Sequence, residues 1–239
     1  MSAPATPLDV LRREVSTLVF DQYGTIVDMQ RGLVEAAGPF LAQKGWTGDP
    51  HRFVTWWRRT HFELSMIDSL CDRGHTPYRH IGHRAVAQVM ARCGLDYTQD
   101  EVRWLVSLIE SLEPFPDVPA ALERLHAHYR LGILSNGDRD MLDAARPHIG
   151  FEFDAVISVE EAGYFKPHWS TYAKACEILA VDRANVLFVA NHAFDCVGAK
   201  SYGMRSAFVD RRNRPFGDTP HQPDLVVKDF ASLADSLCG

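Results

Sequence analysis

Short apolar runs in this chain stop abruptly at polar residues. Runs of this length and composition are typical of buried parallel strands, whose carboxyl ends meet at one edge of a sheet. Open α/β sheets bind their ligands at that edge, so we expect these polar residues to share one site. The runs are Leu18–Phe20 before Asp21, Gly132–Leu134 before Ser135 and Asn136, and Val186–Ala190 before Asn191.

From Asp117 onward, helical and strand patterns alternate, which predicts right-handed crossovers and a doubly wound, Rossmann-like parallel sheet. Strand Thr17–Phe20 should join this sheet from the far N-terminus. The predicted helices are Val118–Tyr129, Arg139–His148, Trp169–Leu179 and Phe194–Tyr202, and the predicted strands are Leu131–Leu134, Ala155–Val159, Val186–Ala190 and Ser206–Val209.

Residues 28–113 show only helical periodicity, with breaks at glycine- and proline-containing stretches. We therefore predict two domains, an α/β core made of residues 1–27 and 114–239 and an inserted all-helical cap made of residues 28–113. Paired prolines at 114 and 116 would stiffen the return to the core. The predicted cap helices lie near residues 31–44, 50–72, 79–93 and 98–111.

Composition excludes several classes of protein. The chain has 239 residues and a formal net charge of −6, which gives no reason to expect a nucleic-acid or anionic membrane partner. We expect the basic run at residues 211–214 to be a solvated loop. Five cysteines without CxxC spacing suggest neither a disulfide framework nor a zinc site. Residues 1–13 lack the apolar core of a signal peptide, so we expect a cytoplasmic protein.

A carboxylate at a strand end can attack carbon or phosphorus, which makes Asp21 a candidate nucleophile. The order Asp21, then Ser135-Asn136, then Lys166-Pro167, then Asp195 follows the strands. In this order and context, the set resembles the four motifs of the haloacid dehalogenase superfamily. The resemblance implies a Rossmann-like core with a cap inserted after the first strand.

Phosphatases of that superfamily carry a second aspartate two residues after the nucleophile, where this chain has Tyr23. Their magnesium site also needs an acidic pair in the last motif, and Asn191 replaces its first member. A phenol is a poor acid–base group at neutral pH, and an amide is a weaker ligand for magnesium than a carboxylate. Both replacements argue against phosphoryl transfer.

The variant motif Asp21-Gln22-Tyr23-Gly24-Thr25 resembles that of the (S)- or L-2-haloacid dehalogenases. Other features similar to that subfamily are Trp57-Arg58 in the cap, Ser135-Asn136-Gly137, and Tyr172 five residues after Pro167. The resemblance implies a hydrolase that releases halide from short 2-haloacids through an aspartyl ester, without metal or other cofactor.

The resemblance also implies the roles of the site residues. Asp21 attacks C2 of the haloacid, and Lys166 keeps it ionised. Arg58 and Asn136 bind the leaving halide, with Asn191 in the same substrate pocket. Ser135 and the backbone N–H groups of Gln22 and Tyr23 hold the substrate carboxylate. Thr25 and Tyr172 orient their neighbours.

Hydrolysis of the ester needs a base for water. The resemblance assigns that base to Asp195, retained in the last motif. Close relatives have asparagine where this chain has His192, and an imidazole can accept a proton near neutral pH. His192 therefore either assists that step or fills the place of the asparagine, and Asn191 is an alternative occupant of that place.

Two other functions stay open at this point. The first is a magnesium-dependent phosphatase acting on a small phosphate ester. The second is a catalytically silent member of the superfamily that binds or regulates a partner, although such a protein would be expected to have lost Asp21 or Lys166. Among binding partners we expect only the small-molecule haloacid and, by resemblance, a second copy of the chain in a homodimer.

Overall fold

The computed structural model describes residues 6–72 and 74–239. Within these residues it contains six strands and ten helices. The strands are β1 (Thr17–Phe20), β2 (Arg130–Ser135), β3 (Ala155–Ser158), β4 (Val186–Ala190), β5 (Arg205–Val209) and β6 (Leu225–Val227). The helices are α1 (Leu8–Glu14), α2 (Met29–Gln43), α3 (Pro50–Leu70), α4 (Tyr78–Arg92), α5 (Gln99–Ser107), α6 (Val118–His126), α7 (Arg139–Ile149), α8 (Trp169–Leu179), α9 (Ala193–Tyr202) and α10 (Phe230–Cys238).

All six strands pair in parallel, in the order β3-β2-β1-β4-β5-β6. Every residue of β1 and β4 is buried. Since successive strand residues point to opposite faces, both faces of the central sheet are covered. The predicted doubly wound α/β fold is confirmed.

The chain order reverses beside β1, since β1 pairs with β2 on one side and with β4 on the other. In sheets of this kind, the crevice beyond the carboxyl ends of such a pair of strands is where ligands bind. Asp21 directly follows β1 and so lies in that crevice.

The sequence patterns missed three elements. Helix α1, strand β6 and helix α10 were not predicted. Strand β6 has only three residues, too few to show an alternating pattern. Strand β3 also ends one residue earlier than expected, because Val159 begins a short 3-10 turn.

Helices α2 to α5 lie between β1 and β2, in the region for which only helices were predicted. The chain leaves and re-enters the sheet region through two adjacent segments. Val27 and Pro114 form an antiparallel bridge, and the N–H of Asp28 donates to the carbonyl of Glu113 at 3.0 Å. The predicted boundaries between core and cap fall beside this bridge. The division into two domains remains a prediction. Residues 1–5 of the predicted core lie outside the described residues.

Capping groups explain where two of the inserted helices begin, one from a neighbouring residue and one from a distant segment. Asp49 caps α3 by accepting from the N–H of His51, and Pro50 stands at the first helical position, where its missing N–H costs nothing. Helix α4 is capped from outside its own segment. The carboxylate of Asp138 accepts the N–H groups of Tyr78 and Arg79 at 2.6 and 2.9 Å, which ties α4 to the loop after β2.

None of the helices within the described residues combines the length and the apolar content needed to cross a membrane.

Candidate active site

Asp21 stands at the centre of a buried hydrogen-bond network. One oxygen, Oδ1, accepts from the Lys166 ammonium at 2.9 Å. The other, Oδ2, accepts from the Thr25 hydroxyl at 2.7 Å and lies 3.3 Å from Nδ1 of His192. Only 6% of Asp21 is exposed. The carboxylate is therefore held in one orientation by groups on three separate segments of the chain.

Lys166 joins the two aspartates of the site. Its Nζ donates to Asp21 at 2.9 Å, to Asp195 at 2.8 Å and to the carbonyl of Leu134 at 2.8 Å. An ammonium has three donors, so each of its protons has an acceptor. The second oxygen of Asp195 accepts from the hydroxyl of Tyr172 at 2.6 Å.

Charge and burial set the protonation of this network. Burial alone would raise the pKa of Asp21, but the charge of Lys166 and the contact with His192 outweigh it and hold that pKa well below its usual range. Burial raises the pKa of Asp195, and Lys166 only partly offsets this. Burial disfavours the ammonium of Lys166, yet the two carboxylates raise its pKa. Asp21 is therefore ionised at neutral pH.

A cavity of 650 Å³ reaches Asp21 from the side of the inserted helices. Its wall combines charged groups with the aromatic side chains of Phe62, Tyr78, Phe115 and Phe194. Such a mixture of apolar surface and a few polar groups is usual for small-molecule sites. The predicted site residues in its wall are Asp21, Tyr23, Arg58, Asn136, Lys166, Asn191 and His192.

Gly24 allows two of these groups to approach Asp21. Its φ of +88° is in the left-handed region, which glycine adopts without strain. A Cβ at this position would lie 3.0 Å from Nη2 of Arg58 and 3.2 Å from Cε1 of His192. The glycine thus lets a guanidinium from α3 and an imidazole from the start of α9 converge beside the nucleophile.

Within the part of the chain that the structure describes, Arg58 and Asn136 each keep donors for a ligand. Arg58 donates through Nη1 to the side chain of Gln30 at 3.0 Å, and burial, together with the nearby charge of Arg212, lowers the pKa of Arg58 to about 10. The side-chain oxygen of Asn136 accepts the N–H of Lys166 at 3.0 Å. That bond orients the amide so that its NH₂ remains for another acceptor.

The backbone after Asp21 offers further donors. Among residues 6–72 and 74–239, no acceptor is found for the N–H groups of Gln22 and Tyr23. Burial raises the pKa of the Tyr23 phenol well above its ordinary value, so that it stays protonated. Its ring stacks on that of Tyr78 with centroids 5.8 Å apart. Tyr23 therefore shapes the pocket and does not replace an acid–base carboxylate.

Several predicted site residues lie behind the cavity wall. Ser135 is fully buried, and its hydroxyl accepts the N–H of Gly137 at 3.3 Å. Asn191 does line the wall, but its side chain donates to the carbonyl of Gly24 at 3.0 Å and its N–H donates to the Thr25 hydroxyl at 2.9 Å, so it stabilises the loop after β1. The predicted site residues that do not line the cavity are Gln22, Thr25, Ser135, Tyr172 and Asp195.

The basic run after β5 was expected to be solvated, and this is wrong for Arg211. Its side chain is 8% exposed, pairs with Asp117 at 3.0 Å and stacks on Phe115 at 3.8 Å. Arg212 and Arg214 are exposed but line the mouth of the cavity. The sequence does not indicate that Arg211 is buried, because an arginine in a loop is part of no hydrophobic periodicity and its partner Asp117 is far away along the chain.

Comparison with known proteins gives consistent matches. A family model for haloacid dehalogenase-like hydrolases matches residues 15–203. An (S)-2-haloacid dehalogenase from Xanthobacter autotrophicus is 34% identical over 199 residues, covering 82% of this chain and 76% of that protein. The (S)-2-haloacid dehalogenase H-109 from Pseudomonas putida is 29% identical over 226 residues, covering 93% and 98%.

A solved structure is similar over nearly the whole chain. It is the L-2-haloacid dehalogenase from Xanthobacter autotrophicus with chloropropionic acid covalently bound, and it matches with a TM-score of 0.83 at 29% identity. The match covers 94% of this chain and 99% of that one.

Proposed function

The chain belongs to the haloacid dehalogenase-like hydrolases, in the branch of the 2-haloacid dehalogenases, and on that basis we propose that it hydrolyses the carbon–halogen bond of short 2-haloalkanoic acids. Haloacetates and 2-halopropionates are converted to 2-hydroxy acids. One observation carries the proposal: an ionised, oriented carboxylate, Asp21, reaches the cavity that Arg58 and Asn136 also line.

In the first half-reaction, Asp21 attacks C2 of the haloacid, a C–O bond forms, and the carbon–halogen bond breaks with its electron pair leaving on the halide. Arg58 and the NH₂ of Asn136 stabilise the charge that grows on the halogen, which is how such donors accelerate a reaction. The N–H groups of Gln22 and Tyr23 receive the substrate carboxylate. Ser135, which was also expected to hold that carboxylate, lies behind the wall and instead orients the loop that carries Asn136 through its bond to the N–H of Gly137. Lys166 and Thr25 hold the nucleophile ionised and in place.

In the second half-reaction, water attacks the ester carbon of Asp21 and releases the 2-hydroxy acid. Asp195 and His192 are the two candidate bases for this water. The ester chemistry needs no divalent ion, and Tyr23 and Asn191 replace the carboxylates on which magnesium-dependent relatives rely. The retained Asp21, Lys166 and Asp195 favour an active enzyme over a silent binding module.

The decisive assay is halide release from 2-chloropropionate and from a haloacetate in excess chelator, beside the Asp21→Asn variant. We expect release by the parent and none above background by the variant, because an amide does not act as the nucleophile. A phosphate ester with added magnesium serves as the comparison substrate. Absence of release by the parent, or equal release by both proteins, would reject the proposal.

Isotope labelling tests the covalent route directly. In one turnover in heavy-oxygen water, the label should enter Asp21 and be found in the protein, because water attacks the carboxyl carbon. Direct attack of water on C2 would instead place the label in the hydroxy acid, and that result would contradict the ester mechanism.

We also propose that the enzyme works in the cytoplasm as a homodimer. All five cysteines are free thiols, as expected in a reducing compartment. The homodimer rests on the family resemblance alone, and light scattering on the purified protein measures it.

A further inference from the structure

The structure separates the two candidate bases for ester hydrolysis by position. Asp195 is 0% exposed, and its carboxylate oxygens bond to Lys166 at 2.8 Å and to Tyr172 at 2.6 Å. It does not line the cavity. A general base must come within hydrogen-bond reach of the water that it deprotonates. Both oxygens of Asp195 are already bonded behind the wall, and its contacts are those of a residue that positions Lys166.

His192 occupies the opposite side of the network. Its side chain is 22% exposed, lines the cavity and places Nδ1 at 3.3 Å from Oδ2 of Asp21. Phe194 packs against the imidazole with ring centroids 5.6 Å apart. The ring is therefore fixed beside the carboxyl group that becomes the ester, on the face that solvent and substrate reach.

We propose that His192, and not Asp195, accepts the proton of the water that hydrolyses the aspartyl ester, with Asp195 acting as a positioning residue for Lys166. This inference rests on the proposed function, since it concerns the second half of that reaction. It also gives a chemical role to a histidine at a position where the family resemblance implies an asparagine.

Alkylation removes the negative charge of Asp21, which weakens the hydrogen bond between its carboxyl group and His192 and leaves the imidazole for water. The water oxygen bonds to the carboxyl carbon while His192 takes one proton. The carbon–oxygen bond to the 2-hydroxy acid then breaks, and His192 returns the proton to the departing alkoxide. The second proton of the water goes to solvent as Asp21 becomes a carboxylate again.

Rapid-quench kinetics separates the two half-reactions. With 2-chloropropionate, halide release reports formation of the ester, and the mass of the intact protein reports its decay. We expect His192→Asn, which keeps a hydrogen-bonding side chain but removes the base, to form the ester within about threefold of the parent rate and to hydrolyse it ~10²–10⁴ times more slowly. The protein adduct should therefore accumulate in the variant.

Chemical rescue distinguishes a proton acceptor from a structural residue. In His192→Gly, imidazole added to the solution should restore ester hydrolysis in a dose-dependent manner and leave halide release unchanged. Tyr172→Phe is the comparison variant, because Tyr172 lies behind the cavity wall. Added imidazole should not change its rate of ester hydrolysis.

Two results would overturn the assignment. Hydrolysis of the ester at the parent rate in His192→Asn shows that another group is the base. An equal fall in both half-reactions, without rescue, shows that His192 only holds Asp21. If the parent never carries an adduct while Asp21→Asn still releases halide, the proposed function itself fails, and the role of His192 fails with it.

Discussion

Replacing Lys166 by methionine tests how the site is held together. The ammonium is 1% exposed and contacts Asp21 and Asp195 at 2.9 and 2.8 Å. Methionine retains most of the apolar stem but leaves two buried carboxylates without a counter-charge. Removing one partner of a buried ion pair costs about 3–5 kcal/mol, and here one cation serves two anions, so we expect about 5 kcal/mol. In a chain of this size, that corresponds to a fall in Tm of about 10–20 °C.

The loss should depend on pH, with a sign that follows from the pKa shifts. In the parent, the lowered pKa of Asp21 contributes stability that is present above its unfolded pKa of about 3.9 and is lost as the pH falls through the folded value. Without Lys166, burial raises the pKa of Asp21 as it already does that of Asp195. Carboxyl groups whose pKa is raised by folding destabilise the fold above about pH 4, where they ionise in the unfolded chain, and have no such effect once they are protonated in both states. The deficit of Lys166→Met should therefore be larger at pH 8 than at pH 5.

Thermal unfolding of four proteins measures the effect: the parent, Lys166→Met, Asp195→Asn and the double variant. Asp195→Asn removes one of the two orphaned charges, so the double variant should be more stable than Lys166→Met alone. A fall in Tm below about 2 °C, an equal fall at both pH values, or additive effects in the double variant would refute this account of the network.

Two further substitutions test the packing behind the site and the charge at its mouth. Gly198→Ala should lower stability by about 1–3 kcal/mol in thermal unfolding, because the new Cβ would collide with the hydroxyl of Tyr172 and lie 2.7 Å from Cβ of Pro167; an unchanged Tm contradicts this packing. Arg212→Gln should raise KM for 2-chloropropionate by about tenfold or less at low ionic strength and leave kcat unchanged, because it removes a cation from the cavity mouth. In steady-state kinetics at increasing salt, the KM values of the two proteins should converge, since salt screens exposed charges. An increase in KM that does not depend on salt would instead indicate a direct contact between Arg212 and the substrate.

The positions of the site residues along the sheet followed from local sequence. Each apolar run was long enough for a strand, and parallel strands place their carboxyl ends at one edge. This is why the sequence predicts that Asp21, Ser135 and Asn191 lie at the same edge of the sheet. The replacement of catalytic carboxylates by Tyr23 and Asn191 was equally visible, because it depends on residue type at a fixed spacing and not on packing.

Features that depend on distant parts of the chain were not predictable. Strand β6 has three residues and gains its order from pairing with β5 through Phe208 and Val209. Helix α4 was predicted near residues 79–93, but its cap was not, because the helix begins at Tyr78 without a capping side chain in its own segment. Its cap is Asp138, sixty residues away along the chain, so only the folded chain brings donor and acceptor together.

Sequence alone determined which residues meet at the sheet edge, because strand ends are a local property of the chain. Tertiary structure alone decided which of them face the cavity. Asp195 and His192 stand three residues apart, yet one is fully buried against Tyr172 and Lys166 and the other lines the cavity beside Asp21. The difference arises from packing between segments far apart in sequence, since solvent access at a helix start depends on what covers it.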